Sequence, residues 1–272
     1  MKIVYITNAR LPTEKAHGVQ IVKMTEAFSS LNNDVTLISP NRVQKEISHK
    51  TDIFNFYDIE ILFEHKLVNF VDPYVYRHLM PKFVYRFFSF IVNLLWGFKS
   101  AKLGKKLNGD FYIFRDNTPF SFLFSAFYSQ KCVVEFHDIP PLISRLIFKL
   151  GLLLSKKTIC FAVTTKLSED LYKKFGKLKN LDQIYTLHDG VDLKKFTKKK
   201  SLENRIPTVT YCGSLSKSKG IDLIIDAAKL INNVEFVIIG GLKTELDYYR
   251  KIAIKSGVNL SLIHISEPTR PY

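Results

Sequence analysis

The stretch KIVYITNARLPTEKAHGVQIVKMTEAFSSLNNDVTLIS, residues 2–39, reads as strand, loop, helix and strand. Lys2–Thr7 (KIVYIT) is short and β-branched, which suits a buried strand. Asn8–His17 is polar and holds Pro12, so it is a loop. From Gly18 onward Ile21, Met24, Phe28 and Leu31 recur at helical spacing, and Asn32 and Asn33 end the run. Asp34–Ser39 (DVTLIS) is the next strand, closed by Pro40. Such a unit makes a parallel strand pair with a right-handed crossover.

Outward from this unit the alternation persists. Phe111–Phe114, Lys131–Phe136, Thr158–Val163 and Ile184–Leu187 read as strands. Pro119–Ser129, Pro141–Ser155 and Leu167–Phe175 read as the helices between them. This is the pattern of a doubly wound α/β sheet with helices on both faces. Lys194–Asn204 then carries five lysines and little that could form a core, as an interdomain linker does. After it the alternation restarts: Thr208–Cys212 and Val234–Ile239 as strands, Gly220–Asn232 and Thr244–Ser256 as helices.

The 272 residues are 46% hydrophobic and 24% charged, a globular balance. The net charge of +15 suits an anionic partner, although a lysine-rich coding bias gives the same excess. Cys132, Cys160 and Cys212 sit apart in apolar runs and read as buried free thiols of a reducing compartment. Met1 leads directly into a strand, so no signal peptide is expected. The most apolar run, Phe83–Phe98, is interrupted by Arg86 and Asn93 and reads as a buried or surface-lying helix rather than a spanning one.

Five segments carry a resemblance. They are the opening through Phe28, VEFHD at Val134–Asp138, LHDGVDLKKF at Leu187–Phe196, YCGSLSKSKGIDLIIDAAK at Tyr211–Lys229 and VEFVIIGG at Val234–Gly241. Their order and spacing resemble family-four glycosyltransferases of the GT-B fold. The resemblance implies a GT-B-like α/β protein, with one complete doubly wound Rossmann-like domain and the first two βα units of a second. It sets an acceptor-side domain at residues 1–196, a linker at 197–207 and a donor-side domain at 208–259.

Each segment has a physical reading and a blander one. Gly18 lies after the first strand, where α/β sheets place ligands, and its missing Cβ would admit a ligand to the helix N-terminus. The blander reading is a turn. His137 ends a strand at the same edge; the family's histidine there faces the transferred sugar, and the alternative is a structural histidine. Asp138 would orient that ring or cap the following helix. His17, Arg115 and Asp138 are the acceptor-side candidates, with a surface ion pair as the other reading of Arg115 and its neighbour Asp116. Lys219 stands where the family holds the donor diphosphate. The family's arginine after the preceding glycine is replaced here by Ser214, and Lys217 is the compensating candidate. Asp189 belongs to a turn for which Gly190 would supply an unusual backbone angle.

No Asp-x-Asp pair occurs, which fits a metal-independent enzyme with no cofactor beyond its nucleoside-diphosphate sugar. The resemblance implies a retaining transferase acting on a glycan, lipid or polysaccharide precursor. It would act in the cytoplasm, with no nucleic-acid partner. The basic aromatic stretch Tyr74–Lys106 suggests a helix pair over the sheet or a peripheral seat on the anionic inner face of the membrane. A non-catalytic nucleotide-binding module and a sugar-nucleotide 2-epimerase are the alternatives. Leu260–Arg270 (LSLIHISEPTR) matches the translation of a common transposase-type sequencing adapter at all 11 positions. Residues 260–272 are therefore expected to be an adapter-derived tail on a truncated, inactive donor domain.

Overall fold

The structure is a computed structural model that describes residues 1–13, 15–42, 52–155, 158–176, 184–191, 193, 206–241, 243–258 and 260–263. The chain divides into two compact units, Met1–Gly190 and Val191–Tyr272. Most of the lysine-rich linker lies outside the described residues.

In unit 1 a parallel sheet is built from β1 (Lys2–Ile6), β2 (Asp34–Asn41), β3 (Glu64–Asn69), β4 (Phe111–Arg115), β5 (Cys132–Phe136), β6 (Thr158–Ala162) and β7 (Ile184–Thr186). Their spatial order is β3-β2-β1-β4-β5-β6-β7. The order runs one way from β1 to β3 and then reverses at the β1/β4 boundary. With right-handed crossovers, that reversal puts α1 (Ala16–Ser30) and α2 (Ile53–Phe56) on one face. The other face receives α3 (Lys82–Leu107), α4 (Pro119–Phe127), α5 (Leu142–Leu154) and α6 (Thr165–Phe175).

The core is accordingly double. Ile3, Tyr5, Ile21, Val22, Leu37 and Ile113 fill the α1 side. Val4, Ile6, Phe114, Phe122, Phe136 and Phe148 fill the other. Alternate residues of β1 thus serve opposite cores, which explains its unbroken apolar run. Pro40 does not close β2 as its sequence suggested. β1 ends at Ile6, opposite Ile38, so Pro40 has a strand neighbour on one side only and its missing N–H is tolerated. β3 is a charged edge strand whose EHKLVN sequence carries neither an apolar run nor an alternation.

The expected helix pair over Tyr74–Lys106 is instead a 3₁₀ turn, Pro73–Tyr76, and one 26-residue helix, α3. α3 approaches its neighbours through buried Gly97, Ser100, Ala101 and Gly104, spaced on one helical face. Ser100 Oγ and Ser121 Oγ are hydrogen bonded at 2.9 Å in that contact.

Unit 2 holds β8 (Thr208–Cys212), α7 (Ile221–Leu230), β9 (Glu235–Ile239), α8 (Lys243–Lys255) and β10 (Leu260–Ile263), with strand order β10-β9-β8. A third parallel strand thus joins the two expected βα units. β10 comprises the first four residues of the adapter-like stretch; its register, Leu260 to Phe236 through Ile263 to Ile239, says nothing about coding origin. Residues 264–272 lie outside the described residues. Cys132 and Cys160 are buried and free as expected, but Cys212 is exposed, because β8 is an edge strand with most of its residues uncovered.

A Cβ on Gly97 would fall 2.3 Å from Phe120 Cβ and 2.7 Å from the Phe120 carbonyl carbon, and that neighbour includes backbone. Gly97→Ala is therefore expected to destabilise unit 1 by about 1–3 kcal/mol, overriding the gain of nearly 1 kcal/mol that alanine brings to a helix. Urea denaturation measures this; a raised midpoint would show that α3 and α4 are not closely packed there.

Candidate functional site

The carboxyl ends of β1, β4 and β5 meet where the strand order reverses, the place at which open α/β sheets bind ligands. At its centre is Glu135, the fourth residue of β5 and only 2% exposed. A carboxylate that deep needs partners. Tyr5 Oη donates to Oε2 at 3.1 Å. Gln20 Nε2 donates to Oε1 at 2.6 Å, and His137 Nε2 lies 2.5 Å from the same oxygen. Arg115 is aligned with Glu135 across the β4–β5 pair, and its guanidinium donates to Gln20 Oε1 and, at 3.4 Å, to the His17 carbonyl. Gln20 therefore joins the cation to the anion, using one end of its amide for each.

Burial pushes the Glu135 carboxyl up, but the hydrogen bond and charge of His137, with Arg115 beside it, outweigh burial and hold it below the usual carboxylate range. Tyr5 is pushed well up by burial and by Glu135, so its phenol stays a donor. Burial and the nearby Arg115 charge lower the His17 imidazole, favouring its neutral form.

His137 and Asp138 follow β5, and Asp116 Oδ2 accepts their backbone N–H groups at 3.0 and 3.1 Å. His137 thus sits in a frame: backbone held by Asp116, ring held by Glu135. Asp138 performs neither role expected of it. Glu135 holds the ring, the residue preceding α5 is Pro141, and the Asp138 carboxylate accepts instead from Ile139 N at 2.7 Å. Nor does Arg115 make a surface ion pair, since it is only 5% exposed. Asp116, Asp138, Phe90, Ile139 and Ile143 help line an adjacent cavity of about 420 Å³.

Gly18 lies one turn into α1, which starts at Ala16. The space its Cβ would need is occupied by Thr13 Cγ2 and Tyr57 Oη, each 2.4 Å from the built position. Close protein packing, not room for a ligand, demands glycine there. Tyr57 Oη in turn accepts from Thr13 N at 2.7 Å and donates to Thr13 O at 2.9 Å, pinning the loop before α1. Gly190 is not at positive φ, contrary to expectation. Asp189 beside it belongs to the site: among the described residues, one ligand atom each from Glu135, His137 and Asp189 lies within 4.8 Å of the others. That spacing suits a small cation, which would have to displace the His137–Glu135 hydrogen bond.

In unit 2, Lys217–Lys219 form a 3₁₀ turn and Gly220, at φ 72°, leads into α7. The left-handed angle favours glycine there. Lys217, Ser218 and Lys219 are exposed at this helix N-terminus. Lys217 also borders a cavity of about 270 Å³ with Leu215, Tyr248 and Tyr249. Ser214 is exposed, and its carbonyl accepts from Tyr211 Oη at 2.7 Å.

Sequence reasoning missed Glu135, Tyr5 and Gln20. Glu135 had a local signal: it interrupts an apolar strand two residues before His137, so both project from one face. Tyr5 and Gln20 had none.

No protein-family model matches this sequence, and no curated protein matches it. Solved structures do. Anabaena Alr3699/HepE in complex with UDP and glucose is 16% identical, with a TM-score of 0.58 over 97% of this chain and 69% of that one. The lipopolysaccharide outer core galactosyltransferase WaaB, in its apo form, is 14% identical, with a TM-score of 0.57 over 100% and 69%. The UDP-GlcNAc 2-epimerase from Neisseria meningitidis bound to UDP-GlcNAc is 14% identical, with a TM-score of 0.60 over 98% and 73%.

Glu135→Ala would leave the Tyr5 hydroxyl, Gln20 Nε2 and the His137 ring without their buried acceptor and is expected to cost about 1–3 kcal/mol in urea denaturation. Because the folded Glu135 pKa lies below its ordinary 4.5, its contribution is present above that pH and is lost as pH falls through the folded value. Glu135→Gln should flatten that acid limb; an unchanged limb would show that the carboxylate is not held ionised. Taken with the parallel doubly wound sheet, the likeness to those solved structures establishes that this chain has the Rossmann-like α/β fold of GT-B proteins.

Proposed function

We propose that the chain derives from a retaining glycosyltransferase that moves a sugar from a nucleoside diphosphate to a glycan, a lipid or a polysaccharide precursor. The observation that carries this is His137, framed by Glu135 and Asp116 at the switch point of the sheet. A ring held by core groups rather than by a mobile loop suits a residue that must meet a sugar hydroxyl in one orientation. The cavity lined by Asp116 and Asp138 would take the acceptor. The paired lysines at the start of α7 would meet the diphosphate, whose charge reverses the local cost of cations at a helix N-terminus.

The reaction in this reading is a front-face displacement. The bond from the anomeric carbon to the phosphate oxygen breaks while the acceptor oxygen bonds to the same face. The leaving phosphate takes the acceptor proton, so no protein nucleophile and no metal are required.

A sugar-nucleotide 2-epimerase of the same fold is the alternative; it would draw on the carboxylates of Asp116 and Asp189 at this site, and no observation favours it over transfer. Buried free Cys132 and Cys160 suit a reducing, cytoplasmic setting.

UDP is the first probe, since two of the similar structures hold UDP or a UDP-sugar. Titration calorimetry should find UDP affinity about tenfold weaker in Lys219→Ala, the loss expected of a charge-assisted contact. His137→Ala should leave UDP affinity unchanged but abolish sugar transfer. Equal UDP binding by wild type and Lys219→Ala would remove Lys219 from the donor site.

A further inference from the structure

α3 and α5 show to the outside what helices of a water-soluble protein hide. Every exposed residue of α5 is leucine or isoleucine: Leu142, Ile143, Leu146, Leu150, Leu153 and Leu154. Its two cations, Arg145 and Lys149, are half-buried. On α3 every exposed residue is either apolar or cationic. Phe83, Phe87 and Phe90 mark its first half, and Lys99, Lys102, Lys105 and Lys106 its last two turns. Both helices pack against α4, and Phe90 and Ile143 line the same cavity, so the two apolar stripes border one cleft.

The charge of this layer is just as one-sided. α3, α4 and α5 contain no aspartate or glutamate, against eight lysines and arginines. The bias is not chain-wide: α6 carries Glu169 and Asp170, and α8 carries Glu245 and Asp247. A coding preference for lysine would not remove acids from three successive helices while leaving them in α1, α6, α7 and α8.

We infer that this face seats on an anionic lipid bilayer. Its phenylalanines and leucines would lie at the acyl boundary and its lysines against head-group phosphates. Among the described residues no helix is long and apolar enough to cross a membrane, so the contact is at the surface. A second copy of the chain is a poorer occupant, because two copies meeting here would oppose two acid-free cationic layers. A bilayer supplies both the apolar and the anionic partner. The inference goes beyond the transferase reading and needs neither donor nor acceptor.

The test is flotation of the whole chain with vesicles of phosphatidylcholine alone or with added phosphatidylglycerol. The chain should float with the anionic vesicles at low salt and be largely released at high salt. Leu146 and Leu153 are 56% and 57% exposed, so Leu146→Glu with Leu153→Glu should fold normally by circular dichroism. That double variant should lose binding at least tenfold. Leu31→Glu, at a 72%-exposed leucine on the far end of α1, should not. Equal capture by neutral vesicles, or full binding by the double variant, overturns the inference. So does a lipid-free dimer, seen by ultracentrifugation, that the same two glutamates dissociate while no vesicle is bound. Vesicles carry no sugar nucleotide, so failure here leaves the transferase reading standing, and loss of UDP binding leaves this one standing.

Discussion

A buried carboxylate cannot be left alone, and much of unit 1 is arranged around that fact. Moving an ion of this size out of water costs several kcal/mol even after relaxation. Glu135 meets the requirement with groups from three separate elements, Tyr5 of β1, Gln20 of α1 and Arg115 of β4, as well as with His137. The Gln20 amide has only one orientation that satisfies both the anion and the cation. The N-terminal turn of α1 and the ends of β1, β4 and β5 are therefore mutually dependent. The position of His137 follows from the core beneath it, which holds its backbone through Asp116 and its ring through Glu135.

The two units share an alternation but differ in how it winds. In unit 1 the strand order reverses, so helices cover both faces and a crevice opens at the reversal. In unit 2 the order runs one way, so right-handed crossovers place α7 and α8 on a single face. Its core is correspondingly small, centred on Leu215, Ile221, Ile225, Ile238, Leu246 and Tyr249. The exposed Cys212 on β8 follows from the same winding.

What could be read from sequence followed the range of the physics. Buried strands such as KIVYI and CVVEF declare themselves because both faces are apolar. β3 does not, because an edge strand faces water and uses charge to stay unpaired. The helix over Leu142–Leu154 was legible and its exposure was not: in LISRLIFKLGLLL every leucine but Leu152 faces out. The space at Gly18 that the sequence suggested for a ligand is filled by Thr13 and by Tyr57, 39 positions away. Partners that distant leave no local trace, and Gln20 and Tyr5 escaped for the same cause.

β1 carries one more consequence, for the order in which the chain is made. It is the earliest strand in this sequence, yet it lies inside the sheet at the β1/β4 reversal, and its residues are divided between both cores. β2 follows within a few dozen residues, but the other edge waits for β4, where Ile3 pairs with Phe111. At roughly 5–20 residues per second, that edge stays open for about 5–20 s of synthesis. During that interval an apolar strand is unpaired on the nascent chain, and the helices that follow it, α3 above all, are themselves rich in phenylalanine and leucine. The same placement that buries β1 between two cores in the finished protein leaves it an apolar segment in need of cover, by a chaperone or a nearby surface, while the chain is being made.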